Sequence, residues 1–204
     1  MSFKDRVIHM LWSWCTVGFV YGTTRFTPGA RWIIPETWVD ALIPFSTQGI
    51  WLYLSFFLFV PWAFLHAHEN RILILRYAIQ VSAIVSGIVF ITFPSSLNYP
   101  AIVTEDISSK IFQILLMIDT TQNCLPSLHA ALTLLALMSL WSWQKKLQSC
   151  VYLAIALLIG FSIIQLRRHL LIDVTAGLCV GLIAQLVVKN LRIRTILKGV
   201  RNNE

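Results

Sequence analysis

The spacing of charges constrains this chain more than any other feature. Between Arg6 and Arg25 lie 18 uncharged residues, between Asp40 and Glu69 28, and between Arg76 and Glu105 another 28. Then come 25 between Asp119 and Lys145, 20 between Lys146 and Arg167, and 20 between Arg168 and Lys189, where Asp173 alone interrupts the run. A bilayer core about 30 Å thick takes about 17–25 helical residues, so each run crosses once and none comfortably twice. The charges therefore predict six spans, at roughly 7–23, 49–67, 72–92, 128–144, 149–166 and 169–188. Composition excludes the soluble alternative: 57% of the 204 residues are hydrophobic and 12% charged, against about 45–50% and about 25% in soluble domains. Mean hydropathy is +0.72. The expected fold is an all-α integral membrane protein, a six-transmembrane-helix bundle forming a single domain over 1–204, with surface amphipathic helices in its outer loops.

Orientation follows from Lys and Arg. With the N-terminus inside, eleven basic residues fall on the inner side (Lys4, Arg6, Arg71, Arg76, Lys145, Lys146, Lys189, Arg192, Arg194, Lys198, Arg201). Five fall outside (Arg25, Arg31, Lys110, Arg167, Arg168), which places both termini in the cytoplasm. The net charge of +7 is scattered between apolar runs rather than gathered on one face, so it marks topology and not nucleic-acid binding. Cys15, Cys124, Cys150 and Cys179 show neither a CxxC nor a Cys/His ligand spacing, which argues against a disulfide framework and a structural metal. The first apolar run has no small-x-small cleavage site and reads as a retained anchor. Two outer connections exceed the length of a turn. The first, 24–48, carries Trp32 and Trp38 at the expected headgroup level. The second, 93–127, carries the stripe Ile107, Ile111, Ile114, Leu115 and Ile118, an amphipathic helix that lies on the membrane surface or packs over the bundle as a lid.

Two outer helix ends carry unusual residues. The chain reads Asn-Cys-Leu-Pro-Ser-Leu-His over 123–129, and Gln-Leu-Arg-Arg-His-Leu-Leu-Ile-Asp-Val-Thr-Ala-Gly over 165–177. Six spans put His129 and His169 at the same membrane face, with Arg167, Arg168 and Asp173 beside them. His169 and Asp173, at i and i+4, are neighbours on one helix face. A carboxylate there can accept one ring N–H and leave the other nitrogen as a lone-pair base or nucleophile. An intramembrane Asp marks a functional site by default, although Asp173 could instead pair with Arg167 or Arg168 to stabilise a helix end. Pro126 and Ser127 suit a helix start, whose free N–H groups favour an anion. Arg167 and Arg168 can grip the same anion as a fork, or can be ordinary interfacial arginines. His66 and His68, beside Glu69 at the opposite face, read as structural, and His9 as a packing residue.

Pro126-Ser-Leu-His129 followed by His169-x-x-x-Asp173 resembles the second and third signature motifs of the type 2 phosphatidic-acid phosphatase superfamily. The resemblance covers about 38–180. The stretch 169–177, together with Asp40-Ala-Leu-Ile-Pro-Phe45 and Ile50-Trp-Leu-Tyr53, is most similar to the branch containing inositol-phosphorylceramide synthases and related inositol phosphotransferases. The superfamily's first motif, Lys-x6-Arg-Pro, is missing: Phe93–Pro100 keeps its prolines but has Tyr99 where the Arg would stand. The Ser-Arg pair upstream of the third-motif His is also absent, Ser162 being followed by Ile163.

The resemblance implies that His169 attacks phosphorus to form a phosphohistidine, Asp173 orients and charge-stabilises its ring, and His129 protonates the departing alkoxide. Ser127, Arg167 and Arg168 would bind the substrate. Neither metal nor cofactor is implied. The expected activity is a membrane lipid phosphatase cleaving a phosphomonoester or pyrophosphate lipid, at a site facing the extracytoplasmic side. A lipid phosphotransferase shares the first half-reaction and stands as the alternative. A non-catalytic lipid-binding membrane protein with a degenerate site is the rival from another class.

Overall fold

The computed structural model of the protein describes residues 1–24, 32–102, 106–119 and 123–201, excepting the side chains of 118 and 193–201. Arg25, Arg31 and Glu105, used above to delimit runs and assign sides, lie outside the described residues, as do the side chains of Ile118, Arg194, Lys198 and Arg201. The chain is nearly all helical. In order come α1 (Phe3–Thr24), β1 (Trp32–Ile33), α2 (Trp38–Ala41), a 3-10 turn (Thr47–Gly49), α3 (Ile50–Leu54), α4 (Phe56–His66), α5 (Glu69–Thr92), β2 (Ser95–Ser96), α6 (Ile107–Ile118), α7 (Leu128–Leu140), α8 (Lys146–Gln165) and α9 (Leu171–Arg201).

Four helical stretches are long and apolar enough to cross a membrane: Thr47–His66, Glu69–Thr92, Lys146–Gln165 and Leu171–Arg192. Large apolar side chains such as Leu58, Ile88, Leu147, Leu157 and Ile183 point outward, while Ser82, Ser86 and Asp173 are buried. A soluble surface rarely exposes so much contiguous apolar area. The chain is a membrane protein. Two of the six expected spans differ from these four. α1 has 22 residues but is less apolar, diluted by Trp, Tyr, Ser, Thr and His. α7 is apolar but has 13 residues, about 20 Å of helix. It was expected over 128–144 and stops at Leu140. Arg71 Nη1 donates to the carbonyls of Ser139 (3.2 Å) and Trp141. Ser149 Oγ accepts the N–H of Ser142 and donates to its carbonyl, both at 2.9 Å, fixing the turn into α8. Ten of the thirteen α7 residues are buried, so the other helices surround it.

Hydrogen bonds sort the helix ends into two groups. At one end, Arg6 of α1 donates to the carbonyls of Phe64 (3.1 Å), Leu65 (3.1 Å) and Ala67 (2.8 Å) as α4 finishes. Arg71 does the same for α7, and Arg192 of α9 reaches the carbonyl of Asn70. The guanidiniums of Arg6 and Arg71 satisfy carbonyls that a helix C-terminus leaves open. At the other end, Asn123 donates to Thr24 Oγ1 (2.8 Å) at the close of α1. There β1 and β2 pair in parallel, Trp32 opposite Ser95 and Ile33 opposite Ser96, and Ser95 bridges to Asn123. Ile34, Leu97, Cys124 and Leu170 pack beneath this small sheet. The two long outer connections and the turn before α9 are thus knitted together.

α6 packs over the start of the Thr47–His66 stretch. Ser109 Oγ meets Thr47 Oγ1 at 2.9 Å, Gln48 donates to Asp106 (2.6 Å), Trp51 donates to Ser108 (3.0 Å), and Phe112 stacks obliquely on Phe45. The docked face is therefore partly polar. Of the apolar stripe, Ile111 and Leu115 turn to the core, while Ile107 and Ile114 face outward. The tightest helix contact joins α7 and α9 through Gly177 and Gly181, spaced as a small-xxx-small pair. A Cβ on Gly177 would stand 2.0 Å from the carbonyl oxygen of Ser127, and one on Gly181 2.9 Å from that of Ala131. Only glycine lets the start of α7 approach α9 this closely, and that approach brings the two histidines together.

Candidate active site

His129 is the second residue of α7, and His169 lies two residues before α9 begins. Their rings face one another with centroids 5.6 Å apart, and both are nearly buried. His169 Nδ1 lies 2.8 Å from the carbonyl oxygen of Cys124. A carbonyl only accepts, so Nδ1 carries the hydrogen and the neutral ring keeps its lone pair on Nε2. The sequence reading gave this orienting bond to Asp173. Asp173 Oδ2 is 3.7 Å from Nδ1, close enough for charge but not for a hydrogen bond, because it accepts the N–H of Leu170 at 2.8 Å. The reason is local: α9 starts at Leu171, so His169 stands outside the helix on which the i, i+4 argument relied.

His129 Nε2 lies 2.8 Å from the hydroxyl of Tyr53, and its ring packs against those of Tyr53 and Phe56. Its Nδ1 is buried with no hydrogen-bond partner, a costly state for a polar atom unless something fills it. Ser127, fully buried, caps α7: its Oγ accepts the N–H of Ala130 (3.3 Å), and its own N–H donates to the Asp173 carbonyl (2.9 Å). The capping role read from the sequence is thus its visible engagement, and it ties α7 to α9.

The two arginines part company. α8 ends at Gln165 with Leu166 as its C-cap, and Arg167 adopts φ 52°, a left-handed turn costing about 1–2 kcal/mol for a non-glycine residue. Its guanidinium donates to the carbonyls of Ile164 (2.9 Å) and Asp40 (3.1 Å) and pairs with Glu36 at 2.7 Å. Arg168 turns the other way, pairs with Asp119 at 2.8 Å, and lies over the ring of Tyr99 at 5.3 Å. No fork forms. Instead a guanidinium sits above the residue that occupies the missing motif arginine's position. Burial pushes the Cys124 thiol up to about 12, and raises the Tyr99 hydroxyl above its ordinary value. Both stay protonated, 3.4 Å apart, and neither competes as a nucleophile.

Asp40 holds this segment from below. It is fully buried; Oδ1 accepts the N–H of Leu171 (2.7 Å), capping α9 from the short helix α2, and Oδ2 accepts from Thr37. Burial alone would raise its carboxyl, but these bonds and nearby Arg167 hold it below the ordinary value. The clamp is accordingly present at neutral pH and is lost only as the pH falls below the ordinary carboxyl range.

Tyr53, Tyr99, Asp119 and the Cys124 carbonyl therefore join the residues singled out from the sequence. Asp119 had one available signal, as the only acidic residue between Asp106 and Asp173. The carbonyl had none. Beside the histidines, an apolar cavity of about 300 Å³ opens between α1, α4, α6 and α7, bounded by Trp14, Val17 and Phe57 and reaching Asp119 and His129. Among the described residues, no group of three or more His, Cys, Asp or Glu side chains gathers as metal ligands would.

The arrangement offers a lone-pair nitrogen, an opposed imidazole and a guanidinium beside an apolar cavity. A family model described as the PAP2 superfamily matches residues 42–195. No curated protein and no solved structure matches the chain.

Proposed function

Because the chain belongs to the PAP2 superfamily, whose members are typically phosphatases or phosphotransferases, we propose that it is a lipid phosphatase working through a phosphohistidine on His169. The whole chain acts as one membrane-embedded domain of six crossing helices. The observation that carries the reading is the opposed histidine pair at the edge of an apolar cavity, with the His169 tautomer set by Cys124.

The Nε2 lone pair of His169 attacks phosphorus in line, and the bond from phosphorus to the lipid oxygen breaks. The resulting imidazolium keeps its Nδ1–H on the Cys124 carbonyl, with the Asp173 carboxylate 3.7 Å away to offset the positive charge. Protonated on both ring nitrogens, His129 donates Nε2–H to the Tyr53 oxygen and holds its second proton on Nδ1, the nitrogen left for a substrate oxygen. That second proton passes to the departing alkoxide. Water then attacks the phosphohistidine, His129 takes a proton from it, and phosphate leaves. No step needs a metal ion.

Arg168 replaces the missing motif arginine as the phosphate contact, and Arg167 braces the loop through Glu36 and Asp40. Arg168→Gln is expected to lower kcat/KM by about 10–10²-fold, the worth of one charge-assisted contact of about 1.5–3 kcal/mol. Arg167→Gln should lower thermal stability more than kcat/KM. Unchanged steady-state kinetics in a folded Arg168→Gln protein would remove Arg168 from the substrate site.

The alternative, a phosphotransferase of the inositol-phosphorylceramide synthase type, draws support from one contact. Two of the three stretches that carry the branch similarity meet where Asp40 accepts the Leu171 N–H. Purified protein incubated with lipid phosphates, phosphatidylinositol and ceramide separates the readings. Release of inorganic phosphate supports the phosphatase, formation of a new phospholipid supports the transferase, and no turnover of any member supports the accessory lipid-binding role.

The basic residues set the orientation, with the histidine end away from the cytoplasm. A cysteine replacing the exposed Asn98, in a chain lacking Cys15, Cys150 and Cys179, should react with an impermeant thiol reagent in intact cells. Cys124 suits this test poorly, since it is buried. Reaction only after the inner face is opened reverses the orientation.

A further inference from the structure

A second cavity, this one polar, lies at the opposite end of the bundle, about 20 Å from the histidines along the thirteen residues of α7. It measures about 300 Å³ and lies where α4 ends, α5 begins, α7 ends and α8 begins. His66, His68, Arg71, Ser142, Lys145 and Gln148 supply its polar lining. The proposed reaction uses none of them.

The lining is built for negative charge. Among the described residues no carboxylate borders the cavity, and neither Arg71 nor Lys145 is ion-paired. Glu69, beside His68 in the sequence, is paired with the terminal amine of Met1 at 2.6 Å. Arg71 is held rigidly, since Nη1 caps α7, and its remaining N–H groups lie outside those bonds. His68 caps α5 by accepting the Asn70 N–H on Nδ1 (3.4 Å), so Nε2 carries a hydrogen to donate. His66 donates Nδ1–H to the Trp62 carbonyl and stacks on that indole with centroids 3.5 Å apart.

The depth of the cavity is also informative. Trp62 and Trp143 are exposed at this end, and Trp141 borders the cavity itself. Indoles gather where the bilayer's apolar core meets its headgroups. Two cations, of which Arg71 is held in place by its bonds to α7, and an imidazole N–H, with no opposing carboxylate, at headgroup depth, match a phosphate group in charge and donor number.

We infer that this cavity is a second, non-catalytic site that binds a phosphate group, presented by an anionic lipid headgroup or as the free anion. The test uses the full chain in non-ionic detergent, with native mass spectrometry reading retention of phosphatidylglycerol against phosphatidylcholine, and a separate titration with inorganic phosphate. Arg71→Gln is a poor probe because it uncaps α7. The double variant Lys145→Gln/His68→Asn removes a charge and a ring donor, while Asn preserves the cap. The wild-type chain should retain one phosphatidylglycerol at least about tenfold more tightly than phosphatidylcholine. The double variant should lose that preference with its turnover unchanged, and His169→Ala should keep it. Saturable binding of inorganic phosphate, lost in the double variant, identifies the free anion as a ligand; retention of the lipid alone identifies the headgroup. A wild-type chain showing neither preference nor phosphate binding overturns the inference. So does a folded double variant that retains the preference, or its loss in His169→Ala, which would move the lipid to the catalytic end.

Discussion

His169→Ala is expected to lower turnover of any phosphate-bearing lipid by roughly 10⁴-fold or more, the scale on which an enzyme loses its nucleophile. The expectation rests on geometry. The Cys124 carbonyl, 2.8 Å from Nδ1, holds the ring hydrogen there and leaves Nε2 with the lone pair. No neighbouring group can stand in for it: the Cys124 thiol is pushed up to about 12 and stays protonated, and Ser127 Oγ is occupied as a cap. Because the loss is of the attacking atom, it should be equally severe on an alkyl phosphate and on a nitrophenyl phosphate. Asp173→Asn should do less. Its carboxylate contributes charge to the imidazolium from 3.7 Å, whereas the orienting bond to Cys124 survives. A fall of about 10–10²-fold on both substrates is expected, consistent with a charge-assisted interaction of about 1.5–3 kcal/mol. Retained turnover in a folded His169→Ala protein would remove His169 as the nucleophile.

His129→Ala should behave differently, because an acid is needed only when the leaving group is poor. An alkoxide, whose conjugate acid has a pKa of about 15, departs badly without a proton; a nitrophenolate, at about 7, departs readily. The first half-reaction should fall by about 10²–10⁴-fold on an alkyl phosphate and far less on a nitrophenyl phosphate. Pre-steady-state bursts isolate that step, which matters because His129 also takes the water proton in the second. Tyr53→Phe should give a weaker version of the same pattern, since its hydroxyl lies 2.8 Å from Nε2, holds that nitrogen and leaves Nδ1 to deliver the proton. Equal burst losses on the two substrates would contradict the acid role.

The helices were legible because lipid leaves only one economical way to arrange long uncharged runs, and each expected span contains a helix. The boundaries were less so. α7 stops at Leu140 because Arg71, 68 positions before Ser139, takes its last carbonyls. No pattern within 128–144 could announce that. The two-residue strands are too short to carry a period, and their pairing follows from the packing of Ile34, Leu97, Cys124 and Leu170. His129, His169 and Asp173 could be proposed from spacing because their residue types are chemically conspicuous. Their immediate partners could not. The Cys124 carbonyl has no side-chain signature, Tyr53 is 76 positions from His129, and Asp40 reaches Leu171 across 131. The divergence of Arg167 and Arg168 depends on one left-handed residue at the end of α8. In a lipid-facing fold, periodicity reports what avoids water, whereas site geometry depends on which helix ends meet.

A covalent phosphate on His169 is detected most directly by rapid quenching. Purified protein is mixed with a lipid phosphate labelled on phosphorus, stopped within one turnover, and the protein-bound label is mapped by residue. Label is expected on His169, stable to alkali and released by acid as befits a phosphorus–nitrogen bond, and absent from His169→Ala. In His129→Ala the label should form more slowly from an alkyl phosphate than from a nitrophenyl phosphate. Label on another residue, or label that persists in His169→Ala, would contradict a phosphohistidine on His169.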